Sequence, residues 1–181
     1  MASSKKPNKA SKTVYLFDEV GTNSTLKCIQ QLQNIIESND DYENPKDPIK
    51  LIINSGGGDV YDGLALIGFI ESSPIQINTY SYGGRVMSMA LPIFLAGKVR
   101  TATKYTTFMH HTSSWGMDYA KIEIHKQELA EVERLENMIN DLVMRNTKID
   151  KKTLDKYQEI NREWYIPAVQ AKKLGIIHHL I

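Results

Sequence analysis

Cysteine is nearly absent: Cys28 is the only one in 181 residues. A single thiol cannot close a disulfide within the chain or build a cysteine metal cluster, which excludes a disulfide scaffold and a zinc ribbon. It fits a reducing compartment. Its setting among Leu26, Ile29, Leu32, Ile35 and Ile36 reads as that of a small buried hydrophobe. An excess of charge of one sign is also lacking, with 22 Lys and Arg against 21 Asp and Glu and a net charge of +1. No basic field recommends nucleic acid as a partner, and no acidic block suggests a solvating tail. Apolar runs are short everywhere, so no membrane-spanning helix is expected. The opening MASSKKPNKASK carries four lysines but no apolar stretch of the kind a signal peptide needs. It also lacks arginine and an amphipathic pattern, which disfavours a transit peptide. Residues 1–12 are therefore expected to form a disordered basic tail.

What is present is ordinary for a globular domain, with 41% apolar and 24% charged residues. The length suits a single domain over residues 13–181 with one sizeable core. No internal repeat or interdomain linker interrupts it. Patterning predicts strands at Thr13–Phe17, Ile49–Ile53, Ile75–Tyr82, Lys98–Ala102 and Thr106–His110. Helical spacing predicts helices at Ser24–Ser38, Asp59–Ser72, Ser88–Ala96 and Ile122–Asn146. Residues 39–48, NDDYENPKDP, read as a turn-rich loop, and the segment after Asn146 as short and mixed. Strands that alternate with helices imply an α/β domain with parallel connections.

Three segments carry chemistry. Asn54-Ser55-Gly56-Gly57-Gly58 follows an apolar strand directly. Its bare backbone lets N–H groups approach a ligand oxygen, and it also suits a plain strand-to-helix turn. In Gly83-Gly84-Arg85-Val86-Met87-Ser88-Met89, glycines lead to a serine at the head of an apolar helix. Such a serine is either an N-cap or a nucleophile whose oxyanion is received by the next N–H. Phe108-Met109-His110-His111 closes a β-rich run. It reads as a polar strand end or as the source of a base. A metal pair is disfavoured because adjacent residues of a strand point to opposite faces.

Spacing alone does not join these segments, but their order along the chain resembles one family, the proteolytic subunits of the Clp protease (ClpP). ENPKDPIKLIINSGGG is similar to that family's loop, strand and glycine turn, and GGRVMSMALPIFLAGK to its nucleophile segment. TTFMHH is similar to its histidine strand. KIEIHKQEL resembles the start of its long helix, and AKKLGIIHHLI its closing segment. The resemblance covers roughly residues 13 to 178.

The resemblance implies a ClpP/crotonase-type spiral of ββα units in a single domain with a long protruding handle helix. It implies a serine endopeptidase with Ser88 as nucleophile, His110 as general base, and the backbones of Gly58 and Met89 as oxyanion hole. The third member, an aspartate in the family, falls on Glu163 in Arg162-Glu163-Trp164, and no metal or organic cofactor is implied. The implied partners are further copies of the chain in two stacked heptameric rings, an AAA+ unfoldase, and unfolded polypeptide substrates, without nucleic acid or membrane. The implied location is cytoplasmic, with a plastid or viral source also compatible. The sequence departs from the family pattern in Gly56, where proline is usual, and in the bulk of Arg85, Val86, Met87 and Leu91, which is expected to narrow the site. These departures, with Glu163, favour an alternative: a weak or inactive ring subunit that assembles with an active relative. A crotonase-like acyl-CoA enzyme is a further alternative, disfavoured by the Ser, His and carboxylate combination.

Overall fold

Short strands of branched apolar residues alternate with helices along the whole chain. The computed structural model describes residues 12–38, 47–112, 116, 121–159 and 163–181. The expected tail, up to residue 11, and most of the expected loop at 39–48 lie outside the described residues. In chain order the elements are β1 (Thr13–Leu16), α1 (Thr22–Glu37), β2 (Ile49–Ile53), α2 (Val60–Ser72), β3 (Ile77–Ser81), β4 (Gly84–Met87) and α3 (Ala90–Leu95). There follow β5 (Arg100–Ala102), β6 (Thr106–His110), α4 (Ile122–Asn146), α5 (Lys151–Glu159), β7 (Trp164–Pro167), α6 (Ala168–Lys173) and β8 (His179–Leu180).

Two sheets result. The larger has the order β1-β2-β3-β5-β8, and every neighbouring pair is parallel. β2 is buried at four of its five positions, the near-continuous burial expected of a strand covered on both faces. The smaller sheet has the order β4-β6-β7, with β4 and β6 parallel and β6 and β7 antiparallel. The α/β class with parallel connections is thus as expected.

Helix α3 lies between the sheets with every residue buried. Phe94 from this helix meets Phe108 of β6 edge to face, with ring centroids 5.3 Å apart. Pro92 falls in the first turn of α3, where a missing N–H costs nothing. Helix α1 packs Cys28, Leu32 and Ile36 inward. Cys28 is buried, and burial pushes its thiol up to about 12, so it packs as a hydrophobe. Asp59 caps α2, its carboxylate accepting from the Asp62 N–H at 2.9 Å.

Arg100, 5% exposed, gathers three helix ends. Its guanidinium donates to the carbonyl oxygens of Leu95 at the end of α3 and Gly97 just beyond it, of Asn146 at the end of α4, and of Gly175 and Ile176 after α6. These are the orphan carbonyls that a helix leaves at its C-terminus, where the dipole also favours a cation.

Helix α4 spans 25 residues, about 37 Å at 1.5 Å per residue. Only Leu135, Leu142 and Val143 of it are buried, while Ile122, Ile124, Leu129 and Met138 are exposed. The apolar row therefore runs beyond what its own domain covers.

Candidate active site

Ser88 sits at a sharp turn between β4 and α3. Its φ of 50° is the only positive value at a non-glycine residue among those described. A side chain in this region costs energy that the surroundings must offset, a signature of functional turns. Here the offset is visible. The Ser88 N–H donates to the Met109 carbonyl of β6 at 2.9 Å, and the Ser88 carbonyl accepts from Leu91 N–H at 2.9 Å. A strand, a strained turn and a helix with the serine at the apex form the geometry that exposes a nucleophilic Oγ. The sequence pattern predicts a helix from Ser88. It begins two residues later, and the preceding GRVM is a strand.

That strand is held by the glycine turn. Ser55 pairs with Val86 through Ser55 N–H to Arg85 O at 2.9 Å and Met87 N–H to Ser55 O at 3.1 Å. Asn54 Oδ1 accepts from Arg85 N–H at 3.0 Å. Asn54 and Ser55, the two residues that lead into the glycine turn, thus fix the approach to the nucleophile. Gly57, at φ 96°, lies under the turn itself. A Cβ there would stand 2.5 Å from Ser88 Cβ and 2.8 Å from Met89 N. Gly57→Ala is therefore expected to displace Ser88 and lower kcat/KM by roughly a hundredfold or more, since misplacement of about 1 Å has that cost. Peptide turnover checked against thermal stability measures it; unchanged turnover would show that the turn tolerates the shift.

The N–H groups of Gly58 and Met89, the expected oxyanion hole, form no hydrogen bond with the backbone around them among the described residues. Gly58 is instead aligned by its neighbours, with Val20 N–H donating to Gly57 O at 2.8 Å and Asp59 N–H to Val20 O at 2.7 Å.

The histidine at Ser88 is not the expected one. His111 Nε2 lies 2.8 Å from Ser88 Oγ. His110, the last residue of β6, is 5% exposed and lies against the Asn140 side chain of α4. Alternation explains the correction. Phe108 and His110 share one side of β6, the side of the core aromatic, and the next residue turns the other way. Parity from Phe108 is the sequence signal that would have selected His111.

Glu163 moves with it. The β6–β7 register ends at His110 opposite Trp164, and His111 and Glu163 are the residues just beyond that last pair. In this structure Glu163 is exposed and its carboxylate accepts from the Tyr165 hydroxyl, an adjacent group on β7, rather than from a histidine. Arg162 lies outside the described residues.

A cleft opens beside Ser88 and the two histidines, walled by Val60, Met89, Pro92 and Ile139, with Glu136 also at its edge. Arg85, Val86, Met87 and Leu91 are not among its lining residues, so their bulk does not narrow it. Arg85 instead lies across Gly56, its guanidinium 3.5 Å from where a Cβ would be.

Burial pushes the His110 imidazolium down to about 4, and the neighbouring His111 adds to the shift, while Asn140 of α4 opposes it. His110 is thus neutral in the folded protein at pH 7. The unfolded chain binds its proton near the ordinary 6.5, so stability from this group is complete above that pH and is lost as pH falls through 6.5 towards 4. The loss amounts to about 3 kcal/mol at most, at 1.36 kcal/mol per pKa unit. Urea midpoints at pH 7.5 and pH 4.5 should show it, and His110→Leu should reduce the dependence. Equal slopes for both proteins would place the acid sensitivity elsewhere.

The fold matches a mutant of ClpP1 from Listeria monocytogenes with a TM-score of 0.78 and 24% identity, covering 94% of this chain and 91% of that one. The family model described as Clp protease matches residues 7–181. With nearly its whole length matched, the chain belongs to the Clp protease family, whose members are in general serine peptidases.

Proposed function

We propose that this chain is an ATP-independent serine endopeptidase subunit in which Ser88 and His111 are the working pair. The observation that carries the reading is the 2.8 Å contact of Ser88 Oγ with His111 Nε2 at the apex of a strained strand–turn–helix. His111 Nε2 takes the Oγ proton as Oγ bonds to the scissile carbonyl carbon. The resulting oxyanion is received by the free N–H groups of Gly58 and Met89. Collapse of this intermediate breaks the C–N bond, His111 gives its proton to the leaving amine, and the acyl group remains as an ester on Ser88. Water, deprotonated by His111, then releases the acid and restores Ser88.

Glu163 is proposed as the orienting carboxylate, reaching His111 across the β6–β7 ladder when it gives up the Tyr165 hydroxyl. Exchange between exposed partners costs little. Glu163→Gln is then expected to lose far more turnover than Glu163→Asp, because only the former removes the charge that supports the imidazolium. If both variants stay near wild type, Ser88 and His111 act as a dyad.

Family membership supports assembly into stacked rings and delivery of unfolded chains by a Clp-type AAA+ ATPase, and a cytoplasmic setting is proposed alongside them. The unburied apolar row of α4 suits a contact between rings. Leu135→Pro should break that helix and leave single rings or monomers on sedimentation. An unchanged profile would remove α4 from the interface.

The deciding experiment for activity is hydrolysis of a small fluorogenic peptide, with fluorophosphonate labelling mapped to Ser88 and Ser88→Ala as control. Failure of both hydrolysis and labelling would support the alternative of an inactive ring subunit.

A further inference from the structure

The strand that carries Glu163 toward the nucleophile is anchored on one side only. In β7, Trp164 and Ile166 are buried while Tyr165 is exposed. Trp164 stacks on Tyr157 of α5 with ring centroids 4.1 Å apart, which pins the backbone at this end of the strand. Tyr165 stands opposite Met109 of β6, and Glu163 and His111 both lie just beyond the last pair of the ladder. Residues two apart on a strand share a side, so Glu163 and Tyr165 are neighbours. The Glu163 carboxylate accepts from the Tyr165 hydroxyl, and among the described residues no histidine donates to it. Both side chains are exposed. Moving the carboxylate therefore asks for rotation about side-chain bonds and for no change in the core. The same hydrogen bond pushes the Tyr165 hydroxyl above its ordinary range, so it stays protonated and remains a donor at neutral pH.

We propose that Tyr165 is a latch on the reaction: its hydroxyl competes with His111 for the Glu163 carboxylate and keeps most molecules in a state of low turnover. The proposal rests on the peptidase reading and on the role proposed there for Glu163. Tyr165 is a positioning residue, because it acts through Glu163 and neither residue lines the cleft beside Ser88. A carboxylate held by a hydroxyl gains little by exchanging it for a neutral imidazole. It gains more from an imidazolium, because hydrogen bonds between two charged groups are the stronger kind. The pull of His111 on Glu163 therefore rises only as His111 takes the Ser88 proton, while the pull of Tyr165 is constant. Only the fraction of molecules with Glu163 released turns over at full rate, and kcat scales with that fraction. The effect is a factor of a few, since exposed partners hold each other weakly.

The test is Tyr165→Phe, which keeps the ring and removes only the hydroxyl. With a fluorogenic peptide, kcat is expected to rise about fivefold while KM and the thermal midpoint stay where they were, because a change in the competent fraction acts on turnover alone. Fluorophosphonate labelling of Ser88 should accelerate in parallel. In a Glu163→Gln background the gain should vanish, since no charge is left to release. A hydroxyl that only packs would move the midpoint and leave kcat unchanged, and one that aims Glu163 at His111 would lower kcat; either result overturns the latch. If Glu163→Gln is damaging and Tyr165→Phe does not activate, the latch alone falls. If Glu163→Gln is itself neutral, the orienting role of Glu163 and the latch fall together. Should no variant cleave any peptide, the crystal structure of Tyr165→Phe decides: a Glu163 carboxylate turned to His111 supports the latch, and one left in solvent overturns it.

Discussion

His111→Ala is expected to reduce peptide turnover by about 10⁴-fold or more, the scale on which a base acting as one unit with a serine is lost. His110→Leu is expected to leave peptide turnover within about tenfold of wild type. The two residues are neighbours in sequence, so the pair of variants tests orientation rather than proximity. His111 Nε2 meets Ser88 Oγ at 2.8 Å, while His110 is buried at the end of β6, opposite Trp164. His111 is half-buried at the mouth of the cleft, and its truncation leaves the core untouched, so the fold should survive. Circular dichroism and the assembly state provide that control. The reverse pattern, with His110→Leu inert and His111→Ala active, would return the general base to His110.

Arg100→Met is expected to be the most destabilising single substitution in the domain. The guanidinium donates to five main-chain carbonyls, at 2.7 to 3.4 Å, contributed by residues that end three different helices. Hydrogen bonds to charged groups contribute about 1.5–3 kcal/mol each, and each buried acceptor left unmade costs about 1–3 kcal/mol. These terms are not additive, but two of them at about 2 kcal/mol each already total about 4 kcal/mol. At roughly 2–4 °C per kcal/mol for a domain of this size, the midpoint should fall by about 10–15 °C. Burial lowers the Arg100 pKa, yet from a value so high that the side chain stays charged. Arg100→Lys should recover only part of the loss, because one ammonium cannot address acceptors spread around a planar fork. A midpoint shift below about 3 °C for Arg100→Met would mean that water or a rearranged neighbour serves those carbonyls.

The parts of this fold that were legible in the sequence are those where one local pattern decides the outcome. β2 and α4 occupy the residues expected of them, Ile49–Ile53 and Ile122–Asn146, because an apolar run bounded by turn residues and a long 3.6-residue period have no competing reading. β4 was missed because Gly84-Arg85-Val86-Met87 has no strand signal of its own. It is a strand only because Asn54 and Ser55 hold it from another part of the chain. The closing region was under-read for the same reason. α5, β7, α6 and β8 are two to nine residues long and take their form from packing. Ser88 was found as the candidate nucleophile but assigned to a helix start, since a strained turn has no compositional mark beyond the glycines around it. The choice between His110 and His111 is a question of parity. A shift of one residue exchanges the two faces of a strand, and the motif alone does not settle it.

The Arg100 cluster also bears on the order in which the molecule is completed. Its acceptors at Asn146, Gly175 and Ile176 lie 46, 75 and 76 residues further along the chain. β8, which covers β5, lies later still. During synthesis the guanidinium and the outer rim of β5 therefore wait, uncompleted, until residues 175 to 180 leave the ribosome. Contacts this distant in sequence form late, because closing the intervening chain comes before any reward. The nascent protein thus passes through a stage with an open parallel edge and an unsatisfied buried cation, the stage at which it is most exposed to capture by another chain.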